Sequence, residues 1–325
     1  MEAILREEQS PLHLRDREIE KARQKRKCMP SRFSQLLGIV HVLLSYTVAD
    51  GKFVSFGYTR DGPANWGNLS PDYKTCSSGT QQSPINIMED DFVINTKLRD
   101  LNRFYVDAKG TLINTGFNIM LKFDQGAGFM SQGGKNYTLK QLQWHTPSEH
   151  TVDKQQFDME LQLMHSSDDG NIAILSILYD LGNPDPFIYQ DSLNNLSREY
   201  CSEDEETHLP VDIVRTKALK RHKVRYFKYI GSLTTPPCTE NVTWYILGKV
   251  RKVSKNQVAL IKSALNREFQ NNARPTQPLN GRIIERYIES KFNPIRPSSN
   301  VEFITFVVAM EKKYDDAVQR DGEHV

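Results

Sequence analysis

From Phe53 to Tyr287 the chain is a succession of short β-prone runs separated by turn residues, and this texture restricts it to a sheet-based domain. The stretch Leu112 to Phe123 reads as two strand pieces around a polar Asn114-Thr115-Gly116 break. Ile172 to Leu178 is an apolar run suited to a strand buried on both faces, and Trp244 to Val250 reads as a further strand. Only Lys255 to Phe269 carries helical spacing, with Val258, Ile261, Leu265 and Phe269 three and four apart. No flexible linker or internal repeat interrupts the texture, so a single mainly β (α+β) domain is expected over residues 53–290. An apolar content of 38% supplies its core. Lys plus Arg at 42 against Asp plus Glu at 40 gives no reason to expect a nucleic-acid partner. The basic run Lys217 to Arg225 follows the acidic stretch Glu203 to Glu206 and reads as a solvated loop.

The two ends read differently. Residues 1–28 are a charged extension that cannot bury a face. Residues 29–49 pass from a short basic stretch through the apolar run Leu36 to Val48 to the small residue Ala49, the layout of a signal peptide. That run is shorter than the roughly 20 residues a membrane span requires. The expectation is therefore entry to the secretory pathway, ending outside the cell, in the apoplast or in a vacuole, without stable membrane insertion after cleavage. If synthesis starts at Met1 rather than Met29, a signal anchor is the alternative. Four Asn-x-Ser/Thr acceptors, at Asn68, Asn136, Asn195 and Asn241, agree with the secretory route. Loss of Cys28 with the signal leaves Cys76, Cys201 and Cys238, enough for one disulfide and one thiol with the pairing open. Residues 291–325 form a separate tail with an apolar patch from Phe303 to Met310.

The chemistry is concentrated in Gln141-Leu142-Gln143-Trp144-His145-Thr146-Pro147-Ser148-Glu149-His150 and in Met159-Glu160-Leu161-Gln162-Leu163-Met164-His165. Side chains two apart on a strand share a face, so Gln143 projects with His145, and Gln162 with Glu160 and Met164. Two adjacent strands of this kind could bring three side chains to one point. Three imidazoles placed there would form an open tetrahedral zinc site with room for a reactive water.

These segments resemble the α-class carbonic anhydrases, and their dioscorin-like plant branch in particular. The resemblance runs from about Phe53 to Tyr287. It also rests on Tyr58, Asn65-Trp66-Gly67, Gln82-Ser83-Pro84-Ile85-Asn86-Ile87, the run Gly231 to Glu240 and the run Asn272 to Asn280. It implies a central, mostly antiparallel twisted sheet of about ten strands with peripheral helices, an active-site cone on one face, and a Cys76–Cys238 disulfide with Cys201 free. Of the family's three zinc histidines, the resemblance places Gln143 and Gln162 at two positions and His145 at the remaining one. Phe117 stands at the proton-shuttle position. Thr234 matches the hydroxyl that orients zinc-bound hydroxide, and Glu149 the carboxylate that accepts from it. Gln141 and Glu160 match groups that hold the ligand imidazoles. Met164, Leu233, Val242 and Trp244 match the apolar wall of the substrate pocket, and His150 and His165 match structural histidines beneath the cone. His208 and His222 are expected to be solvated.

Zinc is the family's metal, and none is expected here. An amide oxygen is a weaker zinc donor than imidazole and suits harder ions. Phe117 cannot carry a proton. The expectation is a secreted protein without efficient CO2 hydration, serving in storage or in binding a small molecule in a vacant cone. The alternatives are a weak or active carbonic anhydrase forming bicarbonate, or a dioscorin-like ascorbate-related reductase to which Cys201 could contribute its thiol.

Overall fold

The computed structural model describes residues 54–288 apart from 89–90, 189, 200–206 and 220–224. The charged extension, the signal-like run, the tail after residue 290, Cys201, the acidic stretch and His222 lie outside these residues. Thirteen strands form one large mixed sheet. Its main path begins with β12 (Thr207–Val214), β4 (Ala108–Asn114), β5 (Ile119–Lys122) and β7 (Lys135–His145). It continues through β10 (Met159–Ser166), β11 (Ile172–Leu181), β14 (Glu240–Leu247) and β13 (Tyr226–Ser232), ending at β16 (Ile284–Tyr287) and β2 (Phe92–Ile94). Off this path, β6 (Gly128–Gln132) pairs with β7 and with β3 (Asn102–Tyr105), and β15 (Arg251–Val253) extends β11. A small second sheet joins β1 (Asn86–Ile87), β8 (Thr151–Val152) and β9 (Gln155–Gln156). The main path has the ten strands expected. Most of its neighbours are antiparallel, with parallel pairings at β11–β14 and β16–β2.

Alternation along β7 and β10 divides the interior. Leu142, Trp144, Leu161 and Leu163 enter the larger core on one face, while Met164, Val242, Trp244 and Ile174 form a second apolar cluster on the other. β11 is buried from Ile172 to Tyr179, as expected of a strand covered on both faces. The strand expected at Trp244 to Val250 is β14, ending at Leu247, where Gly248 donates its N–H to the Arg225 carbonyl and leaves the ladder. The helix expected at Lys255 to Phe269 divides into α4 (Lys255–Ser263), capped by a Ser254/Gln257 capping box, and a 3₁₀ turn at Arg267–Phe269. Trp66–Leu69 forms α1 and Thr75–Ser78 forms α2. The helix α3 (Gln190–Glu199) buries Leu193 and Leu196; its mostly polar sequence gave no sign of it. Gly128 is required by the fold: its φ is 85°, and a Cβ there would sit 2.1 Å from the Phe104 carbonyl oxygen. Cys76 and Cys238 are disulfide-bonded, tying α2 to the loop before β14. Among the described residues no helix is long and apolar enough to cross a membrane.

Candidate functional site

Register brings the sequence-selected residues together. On the β7–β10 pair, His145 lies opposite Glu160 and Gln143 opposite Gln162, so both glutamines and the histidine share one face. His145 is fully buried, and its Nδ1 lies 2.8 Å from the Asn272 carbonyl oxygen. A carbonyl only accepts, so Nδ1 carries the hydrogen and Nε2 presents a lone pair. That Nε2 is buried without a hydrogen-bond partner.

Beneath His145 lies a network around two carboxylates. Glu160 Oε2 accepts from the backbone N–H of Glu149 at 3.0 Å and of His150 at 2.9 Å. Its Oε1 accepts from His150 Nδ1 at 2.8 Å, Ser176 Oγ at 2.8 Å and Gln162 Nε2 at 3.1 Å. Burial works against the charge of Glu160, but His150, through its proximity and its hydrogen bonds, outweighs burial and brings the carboxyl pKa down to about 2. His150 continues through Nε2 to the Tyr229 hydroxyl at 2.7 Å, and that hydroxyl meets Ser83 Oγ at 2.8 Å. His165 bridges the Tyr105 hydroxyl and the Ala173 carbonyl oxygen, and burial lowers its pKa to about 4, keeping the ring neutral. Both histidines therefore occupy structural positions. His208 is exposed on β12.

Gln162 has a specific place in this network. Besides Glu160, its Nε2 donates to Glu149 Oε2 at 2.7 Å, so one amide nitrogen is shared between two buried carboxylates. Glu149 Oε1 accepts from the Arg274 backbone N–H at 3.0 Å. Thr234 is buried, and among the described residues no hydrogen bond joins its hydroxyl to Glu149, whose Oε2 accepts from Gln162. Gln143 makes only a 3.9 Å contact from Nε2 to Met120 Sδ. Met164, Val242 and Trp244 pack in one cluster with the half-buried Leu233 against it. Phe117 packs on Phe56 at 4.8 Å between ring centroids, within an aromatic group that includes Tyr58 and Trp66.

Two further residues of the shared motifs, Arg274 and Tyr58, are buried at polar atoms. Arg274 is buried, and its guanidinium donates to Gln82 Oε1 and to the carbonyls of Ser83 and Cys76. Burial lowers its pKa to about 10, which still leaves it charged. Tyr58 has a buried hydroxyl without a partner, and burial, reinforced by Glu149, raises its pKa and keeps the phenol neutral. A buried Arg within a motif is itself a signal, because such a charge must be paired.

These residues do not suit zinc. Of Gln143, His145 and Gln162 only His145 offers a ring nitrogen, and the Gln162 amide nitrogen faces the carboxylates. Among the described residues no cluster of three or more His, Cys, Asp or Glu side chains could hold a metal ion.

A mixed sheet of this size, with His145, Gln143 and Gln162 on one face of two neighbouring strands, is the architecture of α-carbonic anhydrases. A crystal structure of dioscorin complexed with ascorbate superposes with a TM-score of 0.69 at 36% identity, covering 73% of this chain and all of that one. The α-carbonic anhydrase of Thermovibrio ammonificans, in complex with the inhibitor sulfanilamide, superposes with a TM-score of 0.63 at 32% identity, covering 72% of this chain and all of the other. Alpha carbonic anhydrase 7 of Arabidopsis thaliana is 40% identical over 71% of this chain and 84% of its own length. Dioscorin DB3L of Dioscorea polystachya is 40% identical over 72% of this chain and 85% of its own. The eukaryotic-type carbonic anhydrase family model matches residues 61–288, and the chain belongs to that family.

Proposed function

We propose that this protein is a carbonic anhydrase relative without efficient CO2 hydration, whose cone serves to bind a small molecule. The observation that carries this reading is Gln162, which donates its amide nitrogen to Glu149 and Glu160 instead of offering a ring nitrogen to a metal. Hydration in this family depends on metal-bound water whose pKa falls to about 7, and a lone imidazole with two amides is a poor zinc site. Phe117, locked into an aromatic group, offers no route for the proton. On this reading Glu149 and Thr234 are relics of the catalytic pair, and Met164, Leu233, Val242 and Trp244 line the ligand's apolar side. A dioscorin crystallised with ascorbate supports small-molecule binding within this fold. Of the cysteines, Cys76 and Cys238 are spent in a disulfide, so no described thiol supports the reductase alternative. The acceptor asparagines 68, 136, 195 and 241 are all exposed, in keeping with a glycosylated protein of the secretory pathway.

The test is metal analysis of the purified chain together with stopped-flow CO2 hydration. Neither stoichiometric zinc nor hydration above the buffer rate is expected, and one tight zinc per chain with measurable turnover would overturn the reading. The double substitution Gln143→His and Gln162→His is expected to restore zinc binding, because Glu160 and the Asn272 carbonyl still stand where ligand imidazoles are held.

A further inference from the structure

Alternation along β7 puts Trp144 on the face of the sheet turned away from Gln143 and His145, in the larger core. A cavity lies on that side. Leu112, Leu121 and Trp144 line it from β4, β5 and β7, and Phe187, Ser192 and Leu193 line it from α3 and the segment before it. No charged side chain is among the lining residues. Trp144 is only 4% exposed, and its indole Nε1 is buried without a hydrogen-bond partner. The other two tryptophans are paired: Trp66 Nε1 donates to the Gly57 carbonyl and Trp244 Nε1 to the Ser232 carbonyl, each at 2.9 Å. A buried indole N–H ordinarily finds an acceptor, and a donor left without one costs about 1–3 kcal/mol. The one tryptophan that lacks an acceptor is the one that lines a cavity.

We propose that this cavity is a second binding site, for a small neutral molecule that is apolar apart from one hydrogen-bond acceptor, of the aldehyde or nitrile type. Its volume of about 30 Å³ sets the size. One water needs about 10–15 Å³, so the space takes about two or three non-hydrogen groups in file. The acceptor atom meets the Trp144 N–H, and the carbon end lies against Leu112, Leu121, Phe187 and Leu193. The Ser192 hydroxyl is the one other hydrogen-bonding side-chain group in the lining, and it also can donate. An ion would find no counter-charge there and would lose its hydration, so charged molecules of the same size are excluded. The site stands apart from Gln143, His145 and Gln162, and needs neither a metal nor the reading of the cone given above.

Three small probes test this in the full chain: acetonitrile, which carries the acceptor; propyne, of the same linear shape without the nitrogen lone pair; and formate, which adds a charge. The readout is the set of three indole 1H–15N resonances, in which Trp66 and Trp244 serve as internal controls. Acetonitrile is expected to move the Trp144 N–H downfield and to leave the other two in place. Propyne is expected to bind without that downfield shift, and formate to move none of the three. A net hydrogen bond of about 1 kcal/mol is a factor of roughly five in Kd, so Trp144→Phe should weaken acetonitrile about fivefold relative to propyne. Taking the ratio removes the effect of the larger cavity that the variant leaves. If Trp144→Phe does not fold, the native indole resonances decide. A Trp144 resonance unmoved by acetonitrile, an equal response of all three indoles, or binding of formate as tight as that of acetonitrile overturns the proposal.

Discussion

Glu160→Gln removes one charge from the network while preserving its shape, so it isolates what that charge contributes. The carboxylate accepts five hydrogen bonds: two on Oε2 from the Glu149 and His150 backbones, and three on Oε1 from His150, Ser176 and Gln162. An amide keeps one oxygen and replaces the other with a donor. If the NH2 takes the Oε2 side, two backbone N–H groups face it, and on the other side it meets three donors. At least two buried donors lose their acceptor, at about 1–3 kcal/mol each, for an expected loss of about 3–5 kcal/mol. Urea unfolding, followed by tryptophan fluorescence and far-UV circular dichroism, should show a midpoint lowered by about 1 M or more at an unchanged m value. A loss below about 1 kcal/mol would refute the reasoning, because an amide is a near-isostere of a protonated carboxyl. That result would mean Glu160 is already neutral in the native protein.

The same carboxylate sets an acid dependence. Its folded pKa of about 2 lies below its ordinary value of 4.5, so its contribution is complete above pH 4.5 and disappears as pH falls toward 2. The shift corresponds to about 3 kcal/mol, and in an acid titration of stability the difference between the native protein and Glu160→Gln should close over that window. A gap unchanged between pH 6 and pH 2.5 would contradict it. The Cys76–Cys238 bridge closes a loop with a sequence separation of 162. Chain-entropy arguments give such a loop about 5 kcal/mol, so the Cys76→Ala, Cys238→Ala pair should lower Tm by several degrees or more. An unchanged Tm would show that the unfolded chain gains nothing from release of the loop.

Much of the fold could be read from the sequence, because its signals are local. The all-apolar run of β11 and the alternation on β7 and β10 specify strands and faces without knowledge of their partners. What was missed depends on distant residues. The helix α3 is polar overall, and Leu193 and Leu196 hold it only because the core is there to receive them. The site was legible as a set of positions: His145, Gln143 and Gln162 do share one face, and Met164, Val242 and Trp244 do pack in one cluster. The roles of Asn272, Arg274 and Tyr58 could not be derived, since each acts across more than a hundred residues of sequence or through a buried atom that lacks a partner. The double use of the Gln162 amide also escaped the sequence. A substitution pattern says which donor is lost, but not which acceptors the new group will find.

That double use bears on whether the site has decayed or been remade. If zinc's two charges were simply withdrawn from above Glu149 and Glu160, one carboxylate oxygen would be left buried without a donor, a costly state for an ion. The two glutamines do not share the remedy equally. Among the described residues Gln143 hydrogen-bonds only to a methionine sulfur, and no carboxylate gains from it. Gln162 carries two hydrogens on its amide nitrogen, and both are directed at the buried carboxylates Glu149 and Glu160. Gln162 thus meets both carboxylates from within the protein, while His145 Nε2, the Tyr58 hydroxyl and Arg274 Nε remain buried without a partner. With donors of the protein itself on Glu149 and Glu160, the buried carboxylates keep their charge compensated without a cation above them.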